Sequence, residues 1–113
     1  MGNCCNNEEE IQPFIINSNI ASLYRIKLDE FIQCVALSSD IKKIEEIYNF
    51  IIKLNMAYDI KYHISIYERE HYKNLFNTLR LSKIELQKIK SSDIYDNVIY
   101  KIIHIEKLLY IKN

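Results

Sequence analysis

The sequence predicts an all-α fold, a small domain of four to five helices. Apolar residues recur at intervals of three and four, as in Ile41, Ile44, Tyr48, Ile51 and Ile52, and again in Ile94, Val98, Ile102, Ile105 and Leu109. That spacing gathers side chains on one face of a helix. Ser38, Ser39 and Asp40, and later Ser91 and Ser92, interrupt these stretches with the residue types that cap helices. A chain of 113 residues is long enough to bury one core without disulfide staples.

The elements follow in order. Residues 1 to 12 read as a flexible anchor, polar and acidic, and residues 13 to 113 as a single helical domain. Pro13 with Asn17, Ser18 and Asn19 delays regular structure until about residue 19. Ile20, Leu23, Tyr24, Leu28, Phe31, Ile32 and Val35 then fall at helical spacings, either as one helix to Leu37 or as a loop leading into a helix from near Asp29. After the break at Ser38 to Asp40, a second helix carries Ile41, Ile44, Tyr48, Ile51, Ile52 and Asn55. Ile60, Tyr62, Ile64 and Ile66 alternate with Lys61, His63 and Ser65, the period of a short half-buried ribbon.

A third helix opens at Glu68 with Tyr72, Leu75, Phe76 and Leu79 on its apolar side. Ser82 with Glu85 has capping-box spacing and predicts the start of a fourth, bearing Ile84, Leu86 and Ile89. The last helix follows Ser92. Its stripe of Ile94, Val98, Ile102, Ile105 and Leu109 is flanked by Tyr95, Ile99, Ile103 and Leu108, an arc broader than one packed face. The surplus must be covered by the domain, a protein partner or lipid, so this stripe is the expected partner-binding site.

The first five residues carry the most specific signal. Removal of Met1 would expose Gly2, the chain's only glycine, as an acceptor for N-myristoylation. One myristoyl chain binds a bilayer only marginally, at roughly 10⁴ M⁻¹, and stable attachment takes a second signal. Cys4 and Cys5 supply it as adjacent thiols open to S-palmitoylation. A basic patch is excluded as that second signal, because Glu8, Glu9 and Glu10 follow. The chain departs from the common acylation pattern at Asn6, where Ser or Thr is usual.

Charge and composition narrow the function. Fifteen basic residues balance fifteen acidic ones, so no net field draws nucleic acid. Three cysteines without framework spacing argue for a reducing compartment, and Cys34 reads as a buried, inert thiol. His63, His71 and His104 form no ligand pair, adjacent Cys4 and Cys5 lack metal-site spacing, and a chain whose only glycine is Gly2 can form no glycine-rich phosphate loop. No catalytic constellation is found, and neither a cofactor nor a small-molecule substrate is expected. Nine tyrosines read as amphipathic core and boundary residues, with a Tyr-rich docking surface as the functional alternative.

The order of elements between residues 19 and 90 resembles an EF-hand pair of the calmodulin, calcineurin B and neuronal calcium sensor kind. In the segment Asn19 to Phe31, Ile26 holds the eighth loop position, Glu30 the twelfth, and Phe31 follows. In Asp59 to Glu70, Asp59 is first, Ile66 eighth and Glu70 twelfth, and Phe76, Leu79, Leu81, Ser82, Glu85 and Leu86 resemble the linker to a further hand. The resemblance implies a very short β-ribbon pairing Ile26 with Ile66, and a groove for an amphipathic target helix. Calcium chemistry does not carry over. A working loop needs oxygen ligands at positions one, three and five and glycine at six. Here those places hold Asn19, Ala21, Leu23 and Tyr24, or Asp59, Lys61, His63 and Ile64. The expectation is a lipid-anchored, non-enzymatic adaptor at the cytosolic face of the plasma membrane or an internal membrane, with an EF-hand-like binder of target helices as the alternative.

Overall fold

The computed structural model describes residues 17–37 and 40–110 and is all-helical. Four helices, α1 (Asn17–Leu37), α2 (Ile41–Ala57), α3 (Ile66–Ile89) and α4 (Asp93–Leu108), are joined by short links, with a 3₁₀ turn at Ile60–Tyr62 between α2 and α3. Side-chain contacts give their directions. Arg25 meets Glu68, Asp29 meets Tyr72 and Phe31 stacks on Phe76, so α1 and α3 run parallel. Arg69 reaches Tyr110, Arg80 reaches Glu106 and Gln87 reaches Asp96, so α3 and α4 are antiparallel. The result is two helical hairpins side by side, with α1 beside α2 and α3, and α4 beside α3 and α2.

One core joins all four helices. Tyr24, Leu28 and Phe31 from α1, Ile44, Ile51 and Leu54 from α2, Phe76 from α3, and Ile102 and Ile105 from α4 are almost wholly buried. Each such side chain contributes roughly 1.5–3 kcal/mol by leaving water. Phe31 and Phe76 stack with ring centroids 5.6 Å apart, an arrangement that adds about 0.5–1.5 kcal/mol to their burial.

The helix starts follow the capping residues. Asp40 accepts a hydrogen bond from the Lys43 amide at 3.2 Å to open α2, and Ser92 accepts from the Ile94 amide at 3.2 Å to open α4. The long-helix alternative holds for the first element, which begins at Asn17 and runs unbroken to Leu37.

Two expectations are corrected. Residues 60–66 form no ribbon: Ile60 and Ile64 are buried while Tyr62 and Ile66 are exposed, a period of four rather than two. The Asn55 side chain accepts the Ile60 amide at 2.9 Å, and Ser65 accepts the Glu68 amide at 3.2 Å, so the chain turns and then starts α3. Nor does a helix begin at Ser82, which lies exposed inside the 24 residues of α3. Nothing between Ile66 and Ile89 removes a backbone donor, and Arg80 and Gln87 fasten both halves of the helix to α4. The EF-hand-like segment Asn19 to Glu30, where that resemblance requires a loop, is likewise continuous helix, and Ile26 stands 53% exposed on its outer side.

Candidate functional site

Gly2, Cys4 and Cys5, the expected acylation sites, lie outside the described residues. The expected partner stripe divides. Val98, Ile102, Ile105 and Leu109 are buried, and only Ile94, at 49% exposed, faces outward. This corrects the reading of that stripe as a docking face. Because α4 packs against both α3 and α2, it needs an arc wider than one neighbour would occupy, and the domain itself covers most of it. Tyr95, Ile99 and Leu108 are half-buried, leaving Ile103 as the one flanking residue classed as exposed.

Of the exposed large apolar side chains, Ile26, Leu75, Leu81, Tyr100 and Ile103 lie along the sides of the bundle and the others at its two ends. Where α1 and α3 finish and α2 and α4 begin, Leu37, Ile89 and Ile94 are exposed aliphatics. Ile94 borders a small crevice of about 30 Å³ that Ile41 and Val98 also line. Where α1 and α3 begin, the exposed residues are Met56, Tyr62, Ile66, Tyr67 and Tyr110. Arg25 and Glu68 form an ion pair at 2.7 Å near this end. The hydrogen bond from Arg25 holds the Glu68 carboxyl below its usual range and raises the guanidinium in turn.

Two polar clusters occupy the sides. Tyr48 and the Nδ1 atom of His104 are 2.6 Å apart, and the Nζ of buried Lys101 sits 5.3 Å from the Tyr48 ring centroid while donating to Asn97. Burial, followed by the neighbouring Tyr100, pushes the Tyr48 phenol up. This cluster joins α2 to α4. A groove of about 470 Å³ between α1 and α2 is bordered by Lys27, Lys42 and Lys43 and equally by Glu30, Asp40 and Glu46. It offers no net charge and little of the apolar lining of small-molecule sites. Cys34 is buried, and burial pushes its thiol up, away from the reactive thiolate.

Among the described residues no three His, Cys, Asp or Glu side chains converge on a metal-sized site, and no helix is long and apolar enough to cross a membrane. The exposed Tyr62 and Ile66 were missed in the sequence because alternation assigned them to a ribbon. The signal was present: helical spacing pairs Ile60 with Ile64 and leaves the two residues between them on the other side. The chain matches no protein-family model, no curated protein and no solved structure.

Proposed function

We propose that this protein is a small helical adaptor, held at the cytosolic face of a membrane by acyl chains on Gly2 and on Cys4 or Cys5, where it recruits a protein partner. The observation that carries this reading is the coincidence of the chain's only glycine at position 2 with two adjacent thiols two residues on. A single myristoyl chain would leave the protein exchanging with solvent. A palmitoyl chain contributes about 0.8 kcal/mol per buried methylene and converts exchange into residence. Function then follows from effective concentration: a tethered domain meets other membrane-bound components more often without any new contact. Leu37, Ile89 and Ile94 form the partner surface, at the far end of the bundle from Asn17.

The test is localisation of the full chain carrying a C-terminal fluorescent protein. Wild type should decorate a membrane, while Gly2→Ala and the double variant Cys4→Ser/Cys5→Ser should each become diffuse. Membrane signal that persists in either variant would contradict the two-chain anchor.

A further inference from the structure

We propose that the end of the bundle from which the N-terminal segment departs lies against lipid, so that a protein face as well as the acyl chains holds the domain to the bilayer. This rests on the anchor reading above and adds the surface that the anchored domain turns to the membrane.

Four chain segments meet at that end: the start of α1, the last turn of α2, the 3₁₀ turn with the start of α3, and the end of α4. Arg69 ties two of them together, donating from Nη1 to the Tyr110 carbonyl at 3.0 Å and from Nε to the Ile64 carbonyl at 3.2 Å. The Tyr24 hydroxyl, donating to the Tyr58 carbonyl, fixes α1 to the same platform. From it Met56, Tyr62 and Tyr67 project at 82%, 76% and 81% exposed.

Scattered surface aliphatics need no explanation, but tyrosines gathered at one end do. A phenol ring can lie among lipid headgroups while its hydroxyl reaches water, which is why tyrosine is enriched at membrane interfaces. Lys61 accompanies them with its Nζ 5.3 Å from the Tyr62 ring centroid, on a stem able to lie along apolar surface with its charge at headgroup level. Two of the acids that an anionic leaflet would repel are paired with bases, Glu68 with Arg25 at 2.7 Å and Asp59 with the Lys61 ammonium at 3.9 Å, while Glu70 stands exposed in α3.

The chain before Asn17 enters the bundle at this end, where α1 starts, but does not by itself press that end against the bilayer. Sixteen residues precede Asn17, a length that spans at most about 55 Å when fully extended. The 21 residues of α1 measure about 31 Å. An anchor of that reach permits either end to meet lipid, and the exposed tyrosines select this one. The opposite end, with its aliphatic Leu37, Ile89 and Ile94, is then turned toward the cytosol.

The sequence contains no tryptophan, so a single introduced one reports its own depth. The full chain is coupled through Cys4 and Cys5 to a maleimide-headgroup lipid in phosphatidylcholine vesicles containing phosphatidylserine, which supplies an anchor whether or not cells attach one. Quenching by phosphatidylcholine brominated near the headgroup end of its acyl chain is compared for Tyr62→Trp, Tyr67→Trp and Leu37→Trp. Quenching at 62 and 67 should exceed that at 37 by about threefold or more, in keeping with burial of the interfacial face. Equal quenching at both ends, or stronger quenching at 37, overturns the proposal.

The triple variant Met56→Ser/Tyr62→Ser/Tyr67→Ser, made in singly acylated full chain, should bind the same vesicles about tenfold more weakly, since affinity scales with buried apolar area. Its circular dichroism should be unchanged, because all three residues are exposed. Unchanged vesicle binding overturns the proposal. So does sedimentation showing a dimer that the triple variant abolishes, without quenching, which assigns the face to a second copy of the chain. Failure of the anchor reading appears elsewhere, as an unmodified N-terminus on the cellular protein, and leaves the vesicle experiment unaffected.

Discussion

Replacing Ile102 with alanine should cost this domain far more stability than replacing Ile94, although both lie on one helical stripe. Ile102 is 0% exposed within α4, and Ile94 is 49% exposed at its first turn. An Ile→Ala change in a close-packed core forfeits the transfer energy of the lost carbons and leaves a cavity, together about 2–5 kcal/mol. The half-exposed Ile94 can lose only part of the transfer energy and leaves no closed cavity, so less than about 1 kcal/mol is expected. Domains of this size are stable by about 5–15 kcal/mol, so the Ile102 change alone removes a large share.

The assay is urea unfolding followed by far-ultraviolet circular dichroism. With a slope of about 1–3 kcal/mol per molar urea, the Ile102→Ala midpoint should fall by about 1–3 M and the Ile94→Ala midpoint by a few tenths. Melting temperatures should fall by roughly 10 °C or more for the first variant. The double variant Ile102→Ala/Ile105→Ala will not be the sum of its parts, because the two side chains are one helical turn apart and share a cavity. A loss below 1 kcal/mol at Ile102, or equal losses at 94 and 102, would refute the assignment of this stripe to the core.

Ser65→Ala should cost about 1 kcal/mol by removing the cap at the start of α3, read in the same urea titration. Alkaline pH should weaken the fold. Burial, then the charge and hydrogen bond of Asp29, push the Tyr72 phenol up to about 12, while an unfolded chain releases that proton near 10. The native state therefore holds the proton more tightly; its contribution is complete below pH 10 and is lost as pH rises through 12, and Tyr72→Phe should make that decline shallower. Tyr24, whose phenol is also raised by burial and by Asp59, extends the decline beyond that range. Calorimetric titration with calcium should give no binding heat, because Asn19 to Glu30 is helix where a loop is required; a saturable heat would contradict this.

Local signals carried much of the fold. The starts of α2 and α4 were legible because Asp40 and Ser92 are good caps set directly before strong helical periodicity. Residues 60–66 misled because apolar residues at every second position satisfy a period of two and a period of four alike. Tertiary neighbours decide between them: the Asn55 side chain holds the Ile60 amide, and Ile60 and Ile64 enter the core. Ser82 and Glu85 have the spacing of a cap, but contacts made 26 and 9 residues away, from Arg80 to Glu106 and from Gln87 to Asp96, keep α3 continuous.

Burial partners were the least legible feature. Periodicity showed that α4 has a broad apolar arc but not that α2 and α3 cover it. For the same reason Ile47, Phe50 and Leu54 were missing from the expected face of α2, which also packs against two helices. The acylation expected at Gly2, Cys4 and Cys5 rests on a purely local pattern, and those residues lie outside the ones the structure describes.

Intact-mass analysis of the protein isolated from its own cells tests the lipid anchor most directly. An N-terminal peptide lacking Met1 and carrying one myristoyl group on Gly2 with at least one palmitoyl group on Cys4 or Cys5 is the expected result. A free glycine amine with both thiols unmodified would contradict it.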